Sequence, residues 1–214
     1  MAEKHKIYSA GSGFWQDYLW SIFDFVENQQ SGIVQFASDS GDDAIWDGSA
    51  FITPSAPGDF GTNSYIVIEP VTASEAGTRW QIRIQAITSA ASGNANYGKV
   101  IMSFDGGWSK ADPDFATKAA TTAVTAAELI IQYNMVAADS FYISCSNSDT
   151  FQNEGGSQSY TYFRALVWDQ DGSEDSHLMG IYAGGYIPVD ANDDTKPAVL
   201  LARQVQVLDV ASAW

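Results

Sequence analysis

Cysteine and histidine are nearly absent from this chain. Cys145 is the single cysteine among 214 residues, so no disulfide can form within the chain. Histidine occurs only at His5 and His177, which disfavours a cysteine–histidine catalytic pair. In the run FYISCS, strand parity puts Cys145 on the face of Phe141 and Ile143. We therefore expect a buried, unreactive thiol.

Charge is scarce, and positive charge is scarcer still. Charged residues make up 17% of the chain, and ten Lys and Arg against 26 Asp and Glu leave a net charge of −16. Binding to phosphate backbones or to anionic membranes requires a patch of basic side chains. We therefore expect no nucleic-acid partner and no membrane partner. A surface poor in charge suits protein–protein contact, because few charged groups must be desolvated. An ordinary neutral-polar surface is the alternative.

Long apolar runs are also missing. The most apolar early stretch, residues 14–26, is interrupted by Gln16, Asp17, Ser21 and Asp24, so it cannot span a membrane. The first six residues are charged, and no apolar core of a signal peptide follows them. We expect a soluble protein made in a cytosol.

An amphipathic helix is predicted over residues 12–30. Large apolar residues recur there at three- and four-residue spacing, with Ser12 as the N-cap and Gly32 as the stop. The stripe consists of Phe14, Trp15, Tyr18, Leu19, Ile22, Phe23 and Val26. It fits docking on a sheet of the same chain, and docking on a neighbouring subunit is the alternative.

The rest of the chain is dominated by short strand patterns. Residues 79–85 alternate strictly, which predicts a half-buried antiparallel strand with one wet face. The sequence predicts nine strands, at 33–37, 44–52, 64–69, 79–85, 98–104, 140–144, 160–168, 178–187 and 198–207. We therefore predict a mainly β fold, an antiparallel β-sandwich or bent sheet forming a single domain over residues 1–214, with the N-terminal helix packed on it.

Residues 109–134 form the least regular segment. Asp112 and Pro113 could begin a short helix, and the following residues are rich in alanine and threonine. We expect a long excursion from the sheet, either an interaction arm or a plain loop.

Sequence motifs for catalysis are not found. The chain has no phosphate loop, dinucleotide fingerprint, paired-histidine zinc helix or Gly-x-Ser-x-Gly elbow, so we do not expect an enzyme or a cofactor. Of three acidic clusters, the best calcium candidate is Asp169, Asp171 and Glu174, but its spacing does not match a twelve-residue calcium loop. Solvated acidic turns are the simpler interpretation. The other two clusters are Asp39/Asp42/Asp43/Asp47 and Asp190/Asp193/Asp194.

Tryptophans leave a glycan-binding hypothesis open. Trp46, Trp80, Trp108 and Trp168 could stack on sugars, and paired carboxylates could then hydrolyse a glycosidic bond. Trp80 and Trp168 lie inside strand patterns and are expected in the core, whereas Trp108 follows two glycines and is expected to be exposed. No carboxylate pair is specific enough to nominate.

Several strand motifs resemble a pattern in structural proteins of tailed-bacteriophage particles. They are NSYIVIE at 63–69, RWQIRIQ at 79–85, YFRALVW at 162–168 and MGIYAGGYIP at 179–188. The resemblance covers roughly half of the chain, and an aromatic N-terminal helix precedes a sheet region in such proteins. It implies a virion subunit in the tail, baseplate or tail tip, and it supplies no catalytic residues.

A virion subunit would act through contacts with other virion proteins and with further copies of itself. We expect the contact residues to be Phe14, Trp15, Tyr18, Leu19 and Ile22 of the helix, together with Trp108 and Trp214. A glycan-binding host-recognition module and a head decoration protein are the alternatives.

Overall fold

A computed structural model describes residues 2–9, 15–28, 32–71, 80–87, 97–103, 107–115, 126–132, 140–153, 156–168, 177–186 and 197–206. Helix α1 spans Trp15–Asn28. The strands are β1 (Ala2–Ser9), β2 (Val34–Phe36), β3 (Ser38–Asp39), β4 (Asp42–Asp43), β5 (Ile45–Trp46), β6 (Tyr65–Pro70), β7 (Gln81–Ile87), β8 (Tyr97–Ser103), β9 (Ala126–Gln132), β10 (Ser140–Asn153), β11 (Gly156–Trp168), β12 (His177–Tyr186) and β13 (Pro197–Gln206).

The strands form two large antiparallel sheets and one small hairpin. Sheet A has the order β1-β10-β11-β12-β13. Sheet B has the order β2-β6-β7-β8-β9, and β5 also pairs with β6. The hairpin joins β3 to β4. The N-terminal strand β1 therefore belongs to the sheet built from the C-terminal third of the chain.

Helix α1 lies between the two sheets. On one side the Tyr18 hydroxyl donates to the carbonyl of Ala165 in β11 at 2.6 Å, and its ring packs edge-on against Phe141 of β10. On the other side Phe23 stacks on Phe36 of β2. The inner faces of both sheets and the helix form one apolar core. The mainly β, sandwich-like fold with a packed N-terminal helix is thus confirmed.

Close approach of the helix to sheet B depends on one glycine. An added Cβ at Gly98 of β8 would overlap the indole ring of Trp15, which is fully buried. Glycine therefore lets the largest side chain of the helix lie flat against the sheet. At the other edge of the core, the Trp80 indole N–H donates to the carbonyl of Thr161 in β11 at 3.3 Å. This bond joins the two sheets directly.

A polar cluster attaches β1 to the helix. Lys6 Nζ and the Tyr8 hydroxyl donate to the same oxygen of Asp24, Oδ2, at 2.7 and 2.6 Å, and Asn28 donates to the other oxygen. Burial alone would raise the pKa of Asp24, but the hydrogen bonds from Lys6 and Tyr8 outweigh it and hold that pKa below its ordinary value. Burial, together with the bond to Asp24, raises the pKa of Tyr8.

Sheet B is buried on both faces, so the predicted wet face of residues 79–85 was wrong. Gln81, Arg83 and Gln85 lie on the face of β7 that points away from the helix, and all three are buried. A second apolar cluster covers that face, because the segments after β2 and after β8 fold over it. Its members are Ala37, Ala44, Tyr65, Val67, Ile101, Trp108 and Phe115.

The polar residues beneath this cover hydrogen-bond mostly to one another. Glu69 accepts from Gln35 Nε2 at 2.8 Å and from Gln81 Nε2 at 2.7 Å. Arg83 donates to Gln85 Oε1 at 2.8 Å and pairs with the carboxylate of Asp114. Its guanidinium also lies 4.0 Å from the ring centre of Tyr65. Mutual pairing satisfies many of the hydrogen-bonding groups of these buried side chains, which lowers the cost of burying them.

Several sequence predictions need correction at the element level. Residues 2–9 form a strand that was not predicted, since their weak apolar pattern becomes β1 only by pairing with β10. The predicted excursion at 109–134 contains β9, which extends sheet B beside β8. Its described start, residues 109–115, forms a turn rather than a helix. The predicted helix ends, at Ser12 and at residue 30, both lie outside the described residues.

Two simpler predictions are confirmed. Cys145 is buried beside Phe141 and Ile143 on the inner face of sheet A. Trp80 is buried in the core.

Within the described residues, no helix has the length and apolarity needed to cross a membrane.

Candidate protein contact surfaces

The helix residues predicted to contact a partner lie inside this chain. Trp15, Tyr18, Leu19 and Ile22 are fully buried between the two sheets. Assigning them to a contact between subunits was therefore wrong, because their apolar surface is already covered by sheets A and B. Phe14 and Trp214 lie outside the described residues.

Trp108 is buried as well, contrary to its predicted exposure. It is 5% exposed and packs edge-on against Phe51, and its backbone N–H donates to Gln81 Oε1 at 2.8 Å. Trp46 is half-buried and stacks on Tyr65. The side chain of Trp168 is outside the described part of the chain. None of the tryptophan side chains that the structure describes is fully exposed.

Carboxylates of the first acidic cluster, Asp39/Asp42/Asp43/Asp47, stabilise local structure through hydrogen bonds and an ion pair. Asp39 accepts from the Lys110 backbone N–H at 3.0 Å, and Asp42 pairs with the ammonium group of Lys110. The Lys110 N–H, with the Ser40 hydroxyl, holds the pKa of Asp39 below its ordinary value. Asp47 accepts from the backbone N–H groups of Ala50 and Ser49, which lowers its pKa too. The two Lys110 contacts attach the turn at 107–115 to the β3–β4 hairpin, whereas the Asp47 bonds stabilise a turn at 47–50.

The predicted calcium residues Asp169, Asp171 and Glu174 lie outside the described residues, as does the third cluster, Asp190/Asp193/Asp194. In the part of the chain that the structure describes, no group of three or more metal-ligating side chains comes together. Calcium binding at the second cluster stays a prediction.

On the face of sheet A that points away from the helix, His5, Ile7 and Arg164 are exposed, whereas Ser144 between His5 and Arg164 is buried. Ile7, Tyr142 and Leu166 are register partners across β1, β10 and β11. Ile7 is 67% exposed, and it is the one large apolar side chain in the described residues that is so exposed. In the next row, His5 and Arg164 flank Ser144, and His5 stacks on Tyr142 with ring centres 6.1 Å apart. We call His5, Ile7, Tyr142, Arg164 and Leu166 the sheet A surface.

Arg164 differs from the other basic side chains of the described residues. Lys6, Arg83 and Lys110 each pair with a carboxylate of the same chain, and Lys99 also has an interaction partner. Arg164 is exposed and has no hydrogen bond or ion pair within the described residues. An unpaired guanidinium on the same sheet face as an exposed isoleucine, two strands away from it, is therefore available to another molecule.

A second open feature lies where the helix ends. A cleft of about 440 Å³ runs between the last turn of α1, β2 and the β3–β4 hairpin. Its apolar walls come from Val26, Val34 and Phe36, and its rim carries the carboxylates of Glu27 and Asp43. We call it the helix-end cleft.

The helix-end cleft is electronegative for three reasons. The C-terminal end of a helix carries a partial negative charge, and no basic residue lies in the last turn of α1 to compensate it. Glu27 adds a carboxylate in that turn. A third contribution comes from Asp43, whose pKa is raised by desolvation and by the nearby charge of Asp42, as expected for a partly buried carboxylate next to another acid. The cleft therefore favours a cationic group with an apolar stem.

Neither surface was predicted from the sequence. Residues 2–9 were considered only as a possible signal peptide, although alternating residues such as His5 and Ile7 are compatible with an exposed strand face. Arg164 is part of a quoted strand motif, but its lack of a partner is a property of the folded chain. The cleft residues Glu27 and Asp43 come from separate elements that only the fold brings together.

Comparison with known proteins gave no match. No protein-family model matches the chain, and neither the curated proteins nor the solved structures contain a significant relative.

Proposed function

We propose that this protein is a non-enzymatic structural subunit of a tailed-phage virion, in the tail, baseplate or tail tip, that acts through contacts with other virion proteins. The observation that carries the proposal is the sheet A surface. It exposes Ile7 and the unpaired Arg164 on a sheet whose other face is fully packed.

The composition of this surface is typical of protein contact sites. Arginine and aromatic residues are enriched at interfaces, and carboxylates are depleted at their centres. The described side chains here are apolar, aromatic or basic, although the chain has a net charge of −16. Exposed apolar surface lowers its free energy when a partner excludes water from it.

The resemblance of the strand motifs to phage structural proteins gives the kind of assembly. Those motifs supply β6, β7, β11 and β12, which lie at the centres of the two sheets. The motifs account for the strands of the sheets and not for a location in the cell or particle. The proposed location in a virion therefore rests on the resemblance alone.

The test is to find the protein in particles. Particles from a phage that encodes this sequence would be purified on a density gradient, washed in high salt and analysed by quantitative mass spectrometry. We expect the chain at a fixed ratio to the other virion proteins after repeated purification. A host cytosolic enzyme, followed through the same steps, controls for carry-over. A chain that is lost in parallel with that enzyme would contradict the proposal.

A further inference from the structure

The sheet A surface and the helix-end cleft are complementary in charge. One presents the unpaired cation of Arg164 on a partly apolar face. The other is a cleft with apolar walls and a rim formed by Glu27 and Asp43. Arginine, with a long apolar stem and a planar charged end, matches such a cleft.

The two surfaces cannot meet within one copy of the chain. Arg164 points away from α1 on the outer side of sheet A, because its strand neighbours Phe163 and Ala165 face the core. The helix-end cleft lies on the far side of that core, at the β2 edge of sheet B. A contact between them therefore requires a second molecule.

We propose that the sheet A surface of one copy docks onto the helix-end cleft of a second copy, with Arg164 inserted between Glu27 and Asp43. The proposal rests on the proposed function and names one partner of the subunit, another copy of this chain. Ile7 and Leu166 would then be covered by the rim of the cleft.

Such a contact is heterologous, because two different surfaces of the chain meet. A docked pair keeps one free surface of each kind, so association continues until a ring closes or a filament grows. The contact also lets an acidic chain associate with itself, because the local pairing opposes the general repulsion between copies.

A charge exchange tests the contact. The mass distribution of the purified chain would be measured by analytical ultracentrifugation over a concentration series at low salt. Arg164→Glu places a carboxylate opposite the acidic rim, and the double variant Glu27→Arg/Asp43→Arg places two cations opposite Arg164. We expect each to weaken self-association by about tenfold or more in Kd.

An equimolar mixture of the two variants is the decisive sample. Each face then finds a cleft of opposite charge on the other variant, so we expect the mixture to regain the wild-type mass distribution. Thr53→Glu and Thr53→Arg, in an exposed loop that lines neither surface, show what an added charge of each sign does away from the contact. Circular dichroism of each variant shows whether it is folded.

Three outcomes would overturn the contact. They are a wild-type chain that is monomeric at every concentration, single variants that associate as strongly as wild type, and a mixture that stays dissociated. None of these outcomes bears on whether the chain is found in virions, so this contact and the proposed function can fail separately.

Discussion

The outer faces of the two sheets differ in what covers them. Sheet B is covered on its outer face by Trp108, Phe115 and their neighbours, and even Arg83 is buried there. Sheet A leaves Ile7 and Arg164 exposed on its outer face. The same alternation of side chains thus gives a buried outer face in sheet B and an exposed one in sheet A. The reason is that the chain folds back over sheet B, whereas its described part does not fold back over sheet A.

This difference separates stability from recognition. A residue under the cover of sheet B contributes to folding, since its removal leaves a cavity or an unpaired group. An exposed residue on the outer face of sheet A makes few contacts that unfolding would break. Its side chain therefore contributes little to the free energy of unfolding and is available for binding. Matched substitutions on the two faces test this separation.

The largest effect is expected at Phe115. This side chain is fully buried over sheet B, and its backbone adopts a φ of 56°, which a bulky residue adopts only when packing holds it there. We expect Phe115→Ala to lower the free energy of unfolding by about 3 kcal/mol or more in urea denaturation. Ile7→Ala on sheet A is the control, with an expected change within about 0.5 kcal/mol. Equal losses at both positions would remove the distinction between the faces.

A smaller effect is expected when the buried arginine is replaced. Arg83→Met loses the pairing with Asp114 and the stack on Tyr65, and it leaves the side-chain amide oxygen of Gln85, Oε1, without this donor. We expect a loss of about 2 kcal/mol in the free energy of unfolding, measured by the same urea titration.

Two further variants sharpen this result. Arg83→Lys keeps the charge but not the planar group, so it should fall between wild type and Arg83→Met. Arg164→Met, the matched change on sheet A, should stay within about 0.5 kcal/mol of wild type. A larger loss at Arg164 than at Arg83 would show that the covered face is not the more important one for folding.

The smallest effect concerns the cluster that holds β1 to the helix. The pKa of Asp24 is lowered from its ordinary value of 3.8, so its ionised form is favoured in the folded state. The corresponding stability is therefore present above pH 4 or so and is lost as the pH falls through the lowered folded-state pKa. We expect Asp24→Asn to cost less than about 1 kcal/mol at neutral pH, because the group is partly exposed.

The pH dependence and a double variant check this assignment. The difference in unfolding free energy between wild type and Asp24→Asn should shrink in acid. Lys6→Met should cost a similar amount, and the double variant should cost less than the sum of the two, since both changes remove the same pair. Additive losses, or a difference that grows in acid, would contradict the role given to Asp24.

Local patterns predicted most of the strands of the fold but none of the contact surfaces. Strands such as β6 and β7 follow from alternation between turn signals, which neighbouring residues determine. Strand β1 does not, because its strand conformation depends on an edge supplied by β10. Residues 126–132, rich in alanine, similarly become β9 by pairing with β8.

The contact residues could not be predicted because an apolar stripe looks the same whatever covers it. Trp15 and Tyr18 would show identical spacing if they faced a partner, and only the presence of a second sheet decides the matter. Trp108 follows flexible glycines, yet its loop folds back onto sheet B. Arg164 is a candidate contact residue because it has no hydrogen-bond or ion-pair partner in the described residues. That property can be recognised only when all of its neighbours in the folded chain are known.

The position of α1 between the sheets also affects how the chain is made. The helix leaves the ribosome before either sheet is complete, and the strands that cover one of its sides, β10 and β11, are synthesised only after residue 139. Until then the apolar side chains of the helix that pack against sheet A in the folded protein lack their contacts with β10 and β11. The core can therefore close only after β10 and β11 have been synthesised, and its formation is slow because its central contacts join distant parts of the chain. During that interval the nascent protein depends on chaperones or on rapid collapse to avoid aggregation.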